Sequence, residues 1–153
     1  MSLALATFGA PLRFVELDGR ATEGTLYLHI AGGRAAQPET IVDRLNEPGT
    51  SFVPLKVDGT IELLHLAWIA YVACPGRPPE VAAREEVGAR RERVELELVG
   101  GETWRGELLY TLPAGHSRVS DLLNSPGERF LMLLTPSETL FVHRAAIVRA
   151  RFG

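Results

Sequence analysis

An internal repeat limits the folds open to this chain more than any other feature of its sequence. The chain matches itself when Gly19 is aligned with Gly101 and, after an allowance for the longer loop 32–38, when Asp43 is aligned with Asp121. We call the difference in residue number between Gly19 and Gly101 the first offset, and that between Asp43 and Asp121 the second offset. Their thirteen identities are Gly19/Gly101, Gly24/Gly106, Leu26/Leu108, Asp43/Asp121, Leu45/Leu123, Asn46/Asn124, Pro48/Pro126, Gly49/Gly127, Phe52/Phe130, Leu55/Leu133, His65/His143, Ala67/Ala145 and Ile69/Ile147. Such self-similarity indicates two copies of one supersecondary unit.

The first elements of each unit have the pattern of a strand hairpin. In the second unit, apolar residues alternate with glutamates over 94–98, and Gly100-Gly101 is a tight-turn signal before a second strand over 103–112. In the first unit, the range 12–17 takes the place of the first strand and Asp18-Gly19 that of the turn. Each unit is therefore expected to begin with two antiparallel strands.

A single helical turn and three more strands are expected to complete each unit. Ser or Asp can cap a helix over 120–124, and the Asn-Ser-Pro-Gly run at 124–127 ends it. The range 130–134 has the pattern of a short buried strand, and 139–142 and 147–152 that of a closing pair. The order of elements is thus two strands, a short helix and three strands.

Short strands in this number, with one short helix, are typical of small bent barrels. We therefore predict a mainly β protein made of two tandem SH3-like or Sm-like β-barrels, over 12–74 and 94–152, related by an internal pseudo-twofold axis. Packing of the halves, or pairing of their edges, would protect the open strands. The range 75–93 is Pro-rich and then charged, which predicts a solvated or loosely docked helical linker.

Composition excludes several classes of partner. The net charge of −3 gives no general attraction to nucleic acid or anionic lipid, so we expect neither nucleic-acid binding nor membrane insertion. Cys74 is the only cysteine, which excludes an intramolecular disulfide and a Cys-based zinc site. No apolar stretch approaches the roughly 20 residues of a membrane span, and the N-terminal run lacks a signal-peptide pattern. These observations predict a cytoplasmic protein.

The second half carries a motif with a resemblance to known domains. The run Arg118-Val119-Ser120-Asp121-Leu122-Leu123-Asn124, with 130–133 and 143–148 after it, resembles a family of small uncharacterised bacterial β-barrel domains. In that family a strand hairpin precedes an Arg-Val-Ser-Asp-x-Leu-Asn turn. The first half keeps Asp43, Leu45 and Asn46 of this signature. The resemblance implies a small barrel and a bacterial origin, and it implies no reaction.

Several repeated polar residues are candidates for ligands. Asp43, Asn46, Asp121 and Asn124 stand beside leucines and before Pro-Gly, which favours capping and turn hydrogen bonds over ligand binding. His65 and His143 occupy equivalent positions and would form a metal site only if a symmetry axis brought them together. A strand histidine bonded to a backbone carbonyl is the more common arrangement. We therefore predict neither a metal site nor a cofactor.

Residues that break the repeat are better indicators of function, because residues shared by both halves serve the fold. The candidates for partner binding are Trp68, Tyr71, Trp104, Arg144, Arg149 and Arg151. Tryptophan, tyrosine and arginine are enriched at binding hot spots. The alternative for Trp68 and Tyr71 is that they fill the interface between the halves.

The sequence contains no nucleophile motif and no phosphate-binding glycine loop, so we predict that the protein is not an enzyme. The leading hypothesis is a protein-interaction adaptor or regulatory module in a bacterial signalling, polarity or motility assembly, with another bacterial protein as its partner. Unpaired outer strands would also allow a homodimer. The alternatives are an Sm-like RNA-binding protein and a small-ligand or metal site between the repeats.

Overall fold

The computed structural model describes residues 7–29, 39–112, 118–125 and 127–152. Within these ranges the protein is mainly β, with ten antiparallel strands and three short α-helices. No described helix has the length and apolar character needed to cross a bilayer. The loop 32–38 and Pro126, which entered the comparison of the two halves, lie outside the described residues.

Each half contains the same order of elements. In the first half these are β1 (Thr7–Glu16), β2 (Ala21–His29), α1 (Ile41–Asn46), β3 (Phe52–Val57), β4 (Thr60–His65) and β5 (Ile69–Pro75). A helix, α2 (Pro79–Glu86), connects the halves. In the second half the elements are β6 (Arg90–Leu98), β7 (Thr103–Tyr110), α3 (Val119–Asn124), β8 (Phe130–Leu134), β9 (Glu138–His143) and β10 (Ile147–Phe152). One 3-10 turn precedes β5, and another precedes β10.

The element positions keep the two offsets found in the sequence. The first offset relates the hairpin β1–β2 to the hairpin β6–β7, and the second relates α1 to α3, β4 to β9, and β5 to β10. The predicted pattern of two strands, one short helix and three strands therefore describes both halves. We use "counterparts" below for two residues that are related by these offsets.

All ten strands belong to one open sheet in the order β10-β6-β7-β8-β9-β5-β1-β2-β3-β4. The predicted pair of closed barrels with a pseudo-twofold axis is not confirmed. The halves meet where β9 pairs with β5, and these two strands occupy different positions within their halves. A twofold interface would bring equivalent surfaces together. The sequence did not specify which strand edges would meet.

The tight turns between strands have the backbone geometry that their sequences demand. Gly100 and Gly101 follow β6 with φ values of 96° and 92°, as expected from the glycine pair. Asp58 and Gly59 connect β3 and β4 with φ values of 48° and 80°. Positive φ at both central residues makes the Asp58-Gly59 turn a type I′ hairpin turn, whose twist matches that of the paired strands.

The hydrophobic core is continuous across the two halves. The cluster around Phe14, Leu26 and Leu55 of the first half also contains Phe130 and Phe141 of the second half. Since β9 alternates its side chains between two faces, it contributes to the cores on both sides of the junction. Neither half encloses its core alone.

The linker helix α2 is docked through its first turn, whereas most of its later residues are exposed. The buried carboxylate of Glu80 accepts hydrogen bonds from the backbone N–H groups of Ile41 (3.2 Å) and Val42 (2.8 Å), at the start of α1. Burial raises the pKa of Glu80, and these two hydrogen bonds act against that shift. Arg84 pairs with Glu128 through contacts of 2.6 and 3.3 Å. The helix thus connects elements of both halves.

Gly106 provides a test of the close approach between β7 and β8. A Cβ at this position would lie less than 3.0 Å from the carbonyl oxygen of Leu134, whereas the counterpart Gly24 would place its Cβ 3.3 Å from the carbonyl oxygen of Lys56. We expect Gly106→Ala to lower the free energy of unfolding by about 2 kcal/mol, within the range for overpacking. Gly24→Ala should cost less. Equal losses in urea unfolding would contradict this account.

Candidate interaction surface

The junction between the halves is an antiparallel ladder of β5 and β9. Its register runs from Tyr71 opposite Val142 to Pro75 opposite Glu138. Besides this pairing, Arg13 on β1 forms an ion pair of 3.5 Å with Glu138. Ladder hydrogen bonds bind the two halves into a single sheet at this point.

Asn46, at the end of α1, makes the most specific contact across this junction. Its Nδ2 donates to the carbonyl oxygen of Phe130 (3.1 Å), and its Oδ1 accepts from the N–H of Phe130 (2.8 Å). The amide therefore pairs with the backbone of β8 in the manner of a further strand. Nearby, Arg129 donates to the carbonyl oxygens of Leu45 (2.9 Å) and Glu47 (3.2 Å).

His143 contributes a second polar contact at the junction. Its Nδ1 lies 3.0 Å from the carbonyl oxygen of Ile69, and since a carbonyl only accepts, this nitrogen carries the proton. The ring stacks on Phe130 with centroids 4.8 Å apart, and both side chains are buried. Burial lowers the pKa of His143, while the hydrogen bond to Ile69 acts in the opposite direction.

The other residues of the repeated polar signature make local contacts or are exposed. Asp121 accepts a hydrogen bond from the N–H of Arg118 (3.2 Å), and Asn124 donates to the carbonyl of Ser120 (2.8 Å). The side chain that caps α1 is Thr40, which accepts from the N–H of Asp43 (3.1 Å). Asn46 and Asn124 thus have different surroundings, because one is at the junction and the other is exposed.

The first half carries the counterpart of the buried Phe–His stack on its surface. Phe52 stacks on His65 with centroids 4.5 Å apart, and the Trp68 ring lies edge-on to His65 at 6.4 Å. Phe52 is 52% exposed and Trp68 62% exposed, whereas Phe130 is fully buried. The same pair of rings that closes the junction in the second half is therefore open to solvent in the first.

Strand β4 extends this apolar surface along the edge of the sheet. Ile61 is 60% exposed and Leu63 is 68% exposed, whereas their counterparts on β9, Thr139 and Phe141, are fully buried. Alternate residues of a strand share a face, so Ile61 and Leu63 lie on the same side as His65. We call the four residues Phe52, Ile61, Leu63 and Trp68 the β4 patch. Among the described residues, β4 pairs on one side only.

Sequence reasoning identified Trp68 but missed the other members of the β4 patch. Phe52 was one of the thirteen identities, and shared residues were assigned to the fold. Ile61 and Leu63 are ordinary residues for a buried strand. A comparison of β4 with β9 could have found them, because the two strands are equivalent in sequence and the residues that cover each one can differ.

At the opposite end of the sheet, apolar residues are also less buried than their counterparts at the junction. Leu45, Ile69 and Val72 are fully buried at the junction, whereas their counterparts Leu123, Ile147 and Ala150 are half-buried. On β10, Val148 is 59% exposed and Phe152 is 49% exposed. We call the surface formed by Leu123, Asn124 and strand β10 the α3–β10 end.

Two of the predicted aromatic site residues pack against each other between the halves. Tyr71 is buried, its ring lies 5.5 Å from that of half-buried Trp104, and its hydroxyl donates to Glu102 (2.8 Å). Burial, together with the hydrogen bond to Glu102, raises the pKa of Tyr71 to about 12. The structure therefore places Tyr71 at the interface between the halves, while Trp68 is on the surface.

The three predicted arginines have different roles. Arg144 is half-buried and donates to the carbonyl oxygens of Leu122, Ser125 and Glu128, so it holds the segment between α3 and β8. Arg149 pairs with Glu97 (3.5 Å), and Arg151 pairs with Glu95 (3.0 Å). Only Arg149 and Arg151 are exposed, and both belong to the α3–β10 end.

An open cleft of about 420 Å³ lies beside the junction. It is lined by charges of both signs: Arg13, Glu23, Lys56, Asp58 and Glu138. Within the described residues, no group of three or more His, Cys, Asp or Glu side chains could hold a metal ion. His65 and His143 stack on different phenylalanines rather than on each other.

Comparison of the chain with family models, with curated proteins and with solved structures finds no match to any of them.

The contact of Asn46 with Phe130 can be tested against its own counterpart. Asn46→Ala leaves two backbone groups of a fully buried residue without their partner, so we expect a loss of about 2 kcal/mol or more in the free energy of unfolding. Asn124→Ala changes the same residue type at an exposed site and should cost little in dilute solution. Chemical denaturation measures both, and equal losses would contradict the role of Asn46.

The lowered pKa of His143 predicts a dependence of stability on pH. His143 is protonated more easily in the unfolded chain than in the folded protein. Its contribution to the free energy of unfolding is therefore complete above its ordinary pKa of about 6.5, and it is lost as the pH falls toward the lower pKa of the folded state. His143→Gln should reduce this loss of stability on acidification. An unchanged loss of stability in His143→Gln would contradict this account. Thermal unfolding across this pH range provides the measurement.

Proposed function

We propose that the chain is a non-enzymatic protein-interaction module, and that the β4 patch is its binding surface. The observation that carries this proposal is the exposure of two aliphatic side chains on the edge strand β4, together with one aromatic ring at the start of β3 and another on the turn that follows β4. Contiguous apolar surface of this kind marks interaction sites in soluble proteins. An unpaired strand also offers backbone groups to an incoming strand.

Trp68 is the residue that we expect to contribute most to binding. Its ring is 62% exposed and lies edge-on to His65. A tryptophan side chain has only two rotatable bonds, so little conformational entropy is lost when a partner covers it. Tryptophan is among the residues most enriched at hot spots. Its counterpart in the second half is the buried Ala146, which provides no comparable side chain.

The finer features of the fold are part of this proposal. We propose that the two halves arose by duplication of one small SH3-like or Sm-like unit, and that they are related head to tail within the open sheet. The shared order of elements and the constant offsets support this view. A bacterial cytoplasmic assembly, of the signalling, polarity or motility kind, is the setting that we propose. The Arg-rich composition, with Lys56 as the only lysine, favours a bacterial origin.

The alternative of RNA binding has less support, because several of the exposed arginines have carboxylate partners. Arg105 and Arg151 both pair with Glu95, and Arg91 pairs with Glu85. Nucleic-acid binding depends on cations that are free to neutralise phosphates. The ligand alternative would use the cleft beside the junction, where Arg13 already pairs with Glu138.

Affinity capture of the tagged protein from a bacterial extract, with and without nuclease, tests the proposed function. We expect a stoichiometric protein partner that survives nuclease treatment. Trp68→Ala should weaken its binding by about 2 kcal/mol or more, as for other hot-spot residues. Val87→Ala, which truncates an exposed residue outside the β4 patch, serves as the control. Retention of RNA alone, lost with nuclease, would contradict the proposal.

A further inference from the structure

The junction inside the chain joins two different surfaces, one from each half. Since each half contains the elements of both surfaces, one surface of each kind remains outside the junction. The first half contributes α1 and β5, and the second half contributes β8 and β9. The unused counterparts are α3 and β10 at one end of the sheet, and β3 and β4 at the other. A contact between unlike surfaces repeats from molecule to molecule.

We propose that a second copy of this chain docks its α3–β10 end on the β4 patch, and so repeats between molecules the junction that joins the halves. This inference rests on the proposed function, because it identifies the partner of the same surface. The resulting assembly is head to tail. It forms a ring if the rotation between copies closes, and a filament if it does not.

The residues that make two of the polar contacts of the internal junction have counterparts of the same type at the two open ends. Inside the chain, Asn46 pairs with the backbone of Phe130, and His143 donates to the carbonyl of Ile69. The counterparts of these four residues are identical in type: Asn124, Phe52, His65 and Ile147. Asn124 of one copy would thus pair with the backbone of Phe52 in the next. His65 would donate to Ile147.

Burial supports the same assignment from both sides. The three apolar residues that β8 and β9 help to cover in the first half have half-buried counterparts at the α3–β10 end. In the other direction, fully buried Phe130 and Phe141 have Phe52 and Leu63 as counterparts, and these are more than half exposed. Docking of a second copy would remove both apolar surfaces from water, which is a favourable term for association.

The register of the internal junction also produces a complementary pairing between β10 and β4. Both strands keep the second offset, so the register that places Ala73 opposite Leu140 would place Arg151 opposite Glu62. Phe152 would then lie opposite Ile61. Residues directly opposite in an antiparallel pair share a face, and opposite charges and apolar pairs stabilise that arrangement.

Three differences make the contact between copies weaker than the junction inside the chain. The ion pair of Arg13 with Glu138 is lost, because the counterparts of these residues are Glu95 and Thr60. Ser51 replaces Arg129, so the bonds from Arg129 to the end of α1 have no equivalent. Arg149 and Arg20 replace Tyr71 and Glu102. These two arginines keep their own carboxylate partners, Glu97 (3.5 Å) and Asp18 (2.7 Å). We therefore expect an assembly that dissociates on dilution.

Three lysine variants with the same change in net charge test this inference. Leu63→Lys alters the β4 patch, Phe152→Lys alters the α3–β10 end, and Val87→Lys alters an exposed residue of neither surface. A lysine on an edge strand opposes pairing with another chain. Light scattering coupled to size-exclusion chromatography gives the mass, and circular dichroism verifies that each variant is folded.

We expect the unaltered protein and Val87→Lys to have masses that are multiples of 16.7 kDa and rise with concentration or plateau at a closed ring. Leu63→Lys and Phe152→Lys should each have the mass of a single chain. An equimolar mixture of these two variants should form a complex of two chains, because one intact surface of each kind remains. A contact between identical surfaces would not produce this result.

A single-chain mass for the unaltered protein at all concentrations would overturn the inference, as would an assembly that withstands Leu63→Lys and Phe152→Lys. Failure of the mixture to form a two-chain complex would overturn the head-to-tail arrangement. If the protein is a single chain but Trp68→Ala abolishes capture of a different protein, the proposed function stands and only the self-association fails. If the protein neither self-associates nor captures another protein through Trp68, both proposals are overturned.

Discussion

The pairing of β5 with β9, together with the contact of Asn46 with Phe130, is the constraint on which the rest of the structure depends. It joins two halves that are each too small to enclose a core, since small domains bury a low fraction of their surface. Phe130 and Phe141 of the second half complete the core of the first. The helix α2 reinforces this arrangement, because Glu80 binds the start of α1 and Arg84 binds Glu128.

The direction of this pairing determines what remains on the surface. A twofold contact between equivalent strands would use up the same surface on both halves and leave no complementary pair. The contact between unlike strands instead leaves β4 with an exposed apolar face and β10 with half-covered residues beside it. Natural proteins protect such edges with charge, bulges or a covering element. The exposure of Leu63 and Ile61 on β4 is therefore the observation on which the proposed binding surface rests.

Local features of the fold followed from the sequence, whereas the junction did not. The turns at Gly100-Gly101 and the short helix before Pro126 have signals that lie within a few residues, so pattern and turn chemistry were sufficient. Asn46 and Asn124 are identical in sequence, and only the three-dimensional pairing of strands makes one a junction residue and leaves the other exposed. Tyr71 was one of two similar candidates, and its burial depends on Trp104, which is distant in sequence.

Amide hydrogen exchange at increasing protein concentration tests the central claim, that the two open ends of the sheet are complementary to each other. The account predicts that the amides of β4 and β10 exchange more slowly as the concentration rises, while those of β5 and β9, already paired within the chain, do not change. Exchange in β4 and β10 at the same rate throughout would contradict it.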